Sequence, residues 1–171
     1  MNRSRIGVMT MALTLLASAS TRTAWAEEKS QRELASALTK PKVTLAQGLA
    51  ASESAGRPIS AKFEMDDGKL QLSVYTMKGE SFSEVVVDNV TGKVMKTEAI
   101  TGGEDLTAAK AQSAAMAAAK GTLRAAVEKA LHANPGYRAV SVFPTLKDGH
   151  ANAAVTAVKR ETWKTLAESL E

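Results

Sequence analysis

The 171-residue chain contains no cysteine. Disulfide cross-links, thiolate nucleophiles and lipid attachment through a cysteine are therefore excluded, and stability has to come from an ordinary core. Aromatic residues are scarce at 4%, so that core must be aliphatic and small. Histidine occurs only at positions 132 and 150. No apolar run reaches the roughly 20 residues that a helix needs to cross a bilayer.

What stands at the N-terminus is shorter and has another meaning. Arg3 and Arg5 precede a mostly apolar stretch from Ile6 to Ala17, and small and polar residues lead to Ala24-Trp25-Ala26. This is the three-part plan of a secretory signal peptide, with cleavage expected before Glu27 and residues 1–26 removed. The formal charge of +4 then changes, because Arg3, Arg5 and Arg22 leave without any carboxylate. Three fewer than 22 leaves 19 Lys plus Arg against 18 Asp plus Glu, a net of +1. Such a balanced surface offers no basic stripe for nucleic acid and no polybasic patch for a membrane. The expected location is the periplasm, with release into the medium as the alternative.

The remainder repeats a plan. Thr44-Leu45-Ala46-Gln47-Gly48-Leu49 resembles Thr122-Leu123-Arg124-Ala125-Ala126-Val127, each opening on a threonine suited to cap a helix. Both helices meet a glycine stop, Gly56 and Gly136, and correspondence continues at an offset of 81 residues. Asp67-Gly68 falls on Asp148-Gly149, Ala61 on Val142, Met65 on Leu146, Val74 on Val155 and Phe82 on Trp163.

Asp-Gly between alternating runs is a hairpin signal, since Gly supplies the positive φ that tight hairpin turns require. With Asp67 and Gly68 as the turn, Met65 faces Leu70, Phe63 faces Leu72 and Ala61 faces Val74. Those six share one side, while Lys62, Glu64, Gln71 and Ser73 take the other, the pattern of a sheet covered on one face. A third strand is expected over Ser81 to Val87 and a fourth over Lys93 to Ile100. The helix from Thr44 to Ala55 presents Leu45, Leu49 and Ser52, with Gly48 permitting close approach. Further helices are expected from Lys29 to Leu38 and from Leu106 to Ala119. The second of these is mostly alanine with little to pack, which leaves a docked helix and a helical spacer as equal readings. Gly102-Gly103 is the expected hinge.

The segment Thr44 to Lys96 resembles the PepSY family. The most specific part is Val85-Val86-Val87 running into Asp88-Asn89-Val90-Thr91-Gly92-Lys93-Val94, where Asp88 and Thr91 can cap turn amides and Gly92 can take a left-handed conformation. Residues 122–171 resemble the family more loosely, because Leu166 to Glu171 end the chain where the closing turn would stand. The resemblance implies an α+β fold, a helix on a small antiparallel sheet, present twice with the second copy reduced. The divisions are residues 27–101, with an N-terminal helix, and 104–171, with the alanine-rich leading helix. It also implies a binding module that regulates or inhibits an envelope peptidase, without catalytic residues or cofactors. The partner is then a protein or peptide of the cell envelope.

The residues agree with a reading without catalysis. No Gly-x-Ser-x-Gly is present, and His132 suits a helix C-terminus, where its charge meets the dipole. Asp66, Asp67 and Asp148 sit in turns, and His150 has no second histidine at ligand spacing, so no metal site is expected. Met65, Met77 and Met95 read as strand packing rather than thioether ligands, as Met116 does in its helix. A small-ligand or metal-binding periplasmic protein is the alternative function.

A partner surface has to come from the face away from the helix. There Tyr75 points outward, Phe82 stands beside it, Val86 lies further along, and Trp163 takes the place of Phe82 in the second half. Two recurring aromatics in so poor a chain suit interface anchors. The same face equally suits contact between the two units or with the extra helices, and the strand edges offer peptide addition.

Overall fold

A computed structural model describes residues 21–171, with side chains from residue 27 onward. The expected signal features at Arg3, Arg5 and Ile6 to Ala17 lie outside the described residues. Helix α1 (Thr21–Ala37) passes through the bond before Glu27 and starts well ahead of the expected Lys29. The other elements are α2 (Leu45–Ser52), β1 (Arg57–Asp66), β2 (Lys69–Lys78), β3 (Ser81–Val87) and β4 (Val94–Ile100). They are followed by α3 (Gly103–Ala117), α4 (Leu123–Ala133), β5 (Arg138–Lys147), β6 (His150–Lys159) and β7 (Thr162–Ser169). Among the described residues no helix is long and apolar enough to cross a membrane.

The protein mixes helices with an antiparallel sheet of seven strands, ordered β4-β3-β2-β1-β5-β6-β7. Local chemistry sets each piece. Thr44 Oγ1 accepts from the Gln47 amide at 3.2 Å while Gln47 Oε1 accepts from the Thr44 amide at 2.8 Å, a capping box that starts α2. Thr122 Oγ1 accepts from the Ala125 amide at 3.1 Å and starts α4. In both hairpin turns the Asp and the Gly have positive φ, 45° and 73° at Asp67-Gly68 and 54° and 82° at Asp148-Gly149. The resulting register pairs Met65 with Leu70, Phe63 with Leu72 and Ala61 with Val74.

Matching features stand 81 residues apart. The β1 ladder slips between Pro58 and Ser60, and the β5 ladder between Ala139 and Ser141. Met77 pairs with Phe82, and Val158 with Trp163. Arg160, at φ 57°, occupies the place of Gly79, at φ 62°. The two half-sheets are joined into one where β1 pairs with β5, Ala61 opposite Val142 and Lys62 opposite Ser141.

On one face α2 buries Leu45, Gly48, Leu49 and Ser52, and α4 buries Leu123, Ala126, Val127 and Ala130. Beneath them lie Ala61, Phe63, Leu72, Val74, Val85 and Val87, then Val142, Ala153, Val155 and Ala157, all buried. In the second half-core alanine thus supplies half of the named residues.

The expectation of a single covered face is overturned by α3, which docks on the opposite face. Ser60 Oγ donates to Gln112 Oε1 at 2.7 Å, and Ser113 Oγ lies 2.7 Å from Met77 Sδ. Ala109, Ala115 and Met116 are buried there. A helix of small residues fits because Ser60 and Ser141 leave little side-chain bulk over the central strands. Gly102 and Gly103, the expected hinge, stand at its start as N-cap and first residue. Beyond the helix, the amides of Lys120 and Gly121 both donate to the Leu170 carbonyl at 2.8 Å, tying the link before α4 to the end of β7.

Arg138 ties the halves on the α2 face. Its Nη2 donates to the Val43 carbonyl at 2.7 Å and its Nη1 to that of Pro41 at 3.3 Å. The guanidinium lies 5.5 Å from the Phe63 ring centroid. The same segment is held from the first half by Asn89, whose carbonyl accepts from Lys42 and Val43 at 3.0 and 3.1 Å. Arg138→Ala is expected to cost about 1.5–3 kcal/mol, the range for hydrogen bonds to a charged group, as a lower urea midpoint at unchanged m value. Arg138→Lys should recover little, because a point charge cannot span two carbonyls and stack on a ring.

Candidate functional site

The face that carries α3 holds the residues singled out as a partner surface. Tyr75 and Phe82 lie on it, as alternation requires, yet each is only 8% exposed. They are core residues, not an open aromatic pair, because α3 and its approach from β4 occupy the face they would present. Val86 and Trp163 remain half-buried. Phe82 stands opposite Met77, and the residue opposite Tyr75 is Glu84.

Around Tyr75 the face is strongly polar. Lys62 Nζ is 2.7 Å from Glu64 Oε2 and 5.7 Å from the Tyr75 ring centroid. Burial, then the nearby charges of Glu84, Glu64 and Asp105, push the Tyr75 phenol far above its usual range, so it stays neutral. Glu84 is 8% exposed and has no ion-pair partner among the described residues. Burial raises its pKa first; the Ser73 hydroxyl and Lys62 oppose the shift, while Glu64 and Glu98 add to it.

The sign of the pH effect follows from linkage. A carboxyl that holds its proton more tightly when folded costs stability once pH rises through the interval between its ordinary and its raised pKa. Glu84→Gln is therefore expected to raise the urea midpoint at about pH 7, and the gain should vanish below the ordinary glutamate value of about 4.3. Asp88 runs the other way. The Thr91 amide and hydroxyl, and then the Val90 amide, donate to its Oδ1 at 2.6, 2.8 and 3.1 Å, which lowers its pKa. Its contribution is present above the ordinary aspartate value and is lost as pH falls through the lowered one, so Asp88→Asn should lose stability at neutral pH and converge with the parent in acid. Urea titrations of both variants across pH separate the two signs.

The turn formed by Asp88, Thr91 and Gly92 serves the fold. Gly92 has φ 74° and its amide donates to the Asp88 carbonyl at 2.9 Å. Asn89 Nδ2 donates to the Leu70 carbonyl at 2.7 Å while its own carbonyl holds residues 42 and 43, so the turn anchors the link ahead of α2.

The other chemically capable residues are dispersed. His132 lies in the last turn of α4. His150 Nδ1 is 2.7 Å from Glu171 Oε1, on a side chain 66% exposed. Among the described residues no three His, Asp or Glu side chains converge on a point that could hold a metal ion. Of the methionines read as packing, Met116 is buried, Met77 half-buried, Met65 37% exposed and Met95 69% exposed, so packing is the wrong reading of Met95 on the edge strand and of Met65 near its hairpin turn. Sequence reasoning passed over Glu84, a lone carboxylate in an otherwise valine-rich strand.

No family model matches the chain, and no curated protein matches it in sequence. Among solved structures, the crystal structure of a candidate lipoprotein from Clostridium difficile 630 is similar at 14% identity and a TM-score of 0.39, over 70% of this chain and 79% of that one.

Proposed function

We propose that the chain is an exported, non-catalytic binding module built from two PepSY-like units, the second without a fourth strand, and that it restrains a peptidase of the cell envelope. The observation that carries this reading is the coincidence of detail between the half-sheets. Hairpin turns, ladder slips and third-strand registers recur at one spacing, and Ala61 meets Val142, its own counterpart, at the joint. Independent strands have no reason to share an irregularity at the same place, whereas two copies of one unit related by an approximate two-fold axis do. The closing turn of the first unit, Asp88 to Gly92, adds the hydrogen bonding that its PepSY resemblance calls for.

The partner surface in this reading is what the α3 face leaves open, Val86 and Trp163. A photo-crosslinking residue at position 163 or 86, carried in intact cells, is expected to capture a peptidase, and one at the buried Ala115 is not. The captured peptidase should be slowed when the purified protein is added to it. Adducts at positions 86 and 163 that contain no peptidase would remove the proposed role.

A further inference from the structure

Strand β4 has an environment unlike that of its neighbours. Residues 94 to 99 are exposed one after another, on both faces of the sheet. Of the large apolar side chains exposed in the protein, Val94 at 41% and Met95 at 69% lie on β4, and Val90 at 50% lies in the turn that feeds it. β4 is also the edge of the sheet, so among the described residues no strand lies along its outer row of amides and carbonyls. Such an edge is a template for another strand unless something blunts it.

We propose that β4 is a dimerisation edge, and that its occupant is the β4 of a second copy of this chain. Pairing is antiparallel about a two-fold axis through Thr97, which merges two seven-stranded sheets. An axis normal to the sheet sets residues of like parity opposite each other, so it passes through a residue. An axis at Lys96 or Glu98 sets each of those charges against its own copy. At Thr97 the pairs become Lys96 with the partner's Glu98 and Glu98 with the partner's Lys96, flanked by the large Met95 against the partner's small Ala99. Thr97 itself meets the partner's Thr97, a favourable cross-strand pair.

Charge engagement distinguishes this edge from the other one. Among the described residues Lys96 and Glu98 form an ion pair only with each other, at 2.6 Å, with side chains 56% and 50% exposed. On β7, Glu168 is 3.0 Å from Lys129, and Lys164 lies 4.8 Å from the Tyr137 ring centroid, so those charges are already committed inside the chain. Exposed ion pairs add little affinity, and their part here is to fix register. The β4 ladder slips between Val86 and Val87, which puts Met95 out of regular alternation, so the regularly paired stretch is Lys96 to Glu98 with Met95 and Ala99 at its ends. Five residues at about 3.4 Å each give a strip of roughly 17 Å, below a standard interface, so dimers should form in the micromolar range, about 1–100 µM.

Sedimentation velocity on the purified protein from about 1 to 300 µM, which brackets that range, should show a concentration-dependent monomer–dimer equilibrium. Lys96→Glu places like charges opposite each other and should weaken dimers about tenfold or more, and Lys96→Glu with Glu98→Lys should restore them. Because the chain lacks cysteine, a single one reports the register. Thr97→Cys sets two sulfurs within disulfide reach, whereas Ala99→Cys leaves them about 14 Å apart along the strands, so only the first should oxidise rapidly to a covalent dimer. A protein that stays monomeric throughout, a double swap that fails to restore association, or equal oxidation at both positions overturns the proposal.

Discussion

Truncating Leu72 to alanine is expected to cost about 2–5 kcal/mol, and adding Gly48→Ala to that variant is expected to return part of the loss. In the parent protein the same glycine change should destabilise. Leu72 is fully buried and stands between Phe63 on β1 and Val87 on β3, directly beneath α2. A Cβ built on Gly48 falls 2.5 Å from Leu72 Cδ2 and 3.1 Å from its Cγ. With Leu72 present, a methyl at 48 forces that side chain off its rotamer into a packed layer, an overpacking cost of about 1–3 kcal/mol. The roughly 0.5–1 kcal/mol that alanine gains over glycine in a helix offsets only part of this. With Leu72 cut to alanine the methyl enters vacated space, and the helix gain is realised in full. Urea denaturation of the four proteins of this double-mutant cycle measures the coupling. Additivity within about 0.5 kcal/mol would mean that α2 is not seated on Leu72.

What the sequence made legible and what it concealed divide along physical lines. The pairings of Met65, Phe63 and Ala61 were readable because a positive-φ turn and strict alternation leave a single register. Thr44 and Thr122 were readable as caps because a hydroxyl ahead of an apolar run has a specific partner three residues on. The joint between β1 and β5 was not, since it rests on two residue pairs with no turn to announce it. Arg138 was hidden for a related reason: it binds backbone carbonyls 95 and 97 positions away, and a carbonyl has no sequence signature. The docking of α3 was left open because an alanine-rich helix has no apolar stripe that names a face. That gap carried through to the candidate surface, where Tyr75 and Phe82 were turned away from α2 but a partner site and a seat for an extra helix stayed equal readings; their burial under α3 decides for the helix.

That burial leads to the second large effect. Phe82→Ala is expected to cost about 3–5 kcal/mol, as for a buried aromatic, and to loosen α3 before the rest of the protein. The ring sits between Met77 and Ile100 in the ladder, on the face that α3 covers. Met77 receives the Ser113 hydroxyl of α3, so a void at Phe82 undermines the sulfur that the helix touches. Beyond that contact and the Ser60–Gln112 hydrogen bond the helix has little to hold it: Ala109, Ala115 and Met116 are its buried residues, and alanine buries little area. Hydrogen exchange read by mass spectrometry should show residues 103 to 117 losing protection while β1, β2 and β5 keep theirs, the pattern of a subglobal opening. Trp163→Ala, at a half-buried position on β7 of the second half-sheet, should leave α3 protection unchanged. A Phe82→Ala protein within about 1 kcal/mol of the parent would show that the ring is not part of the core, and the open aromatic surface read from the sequence would return.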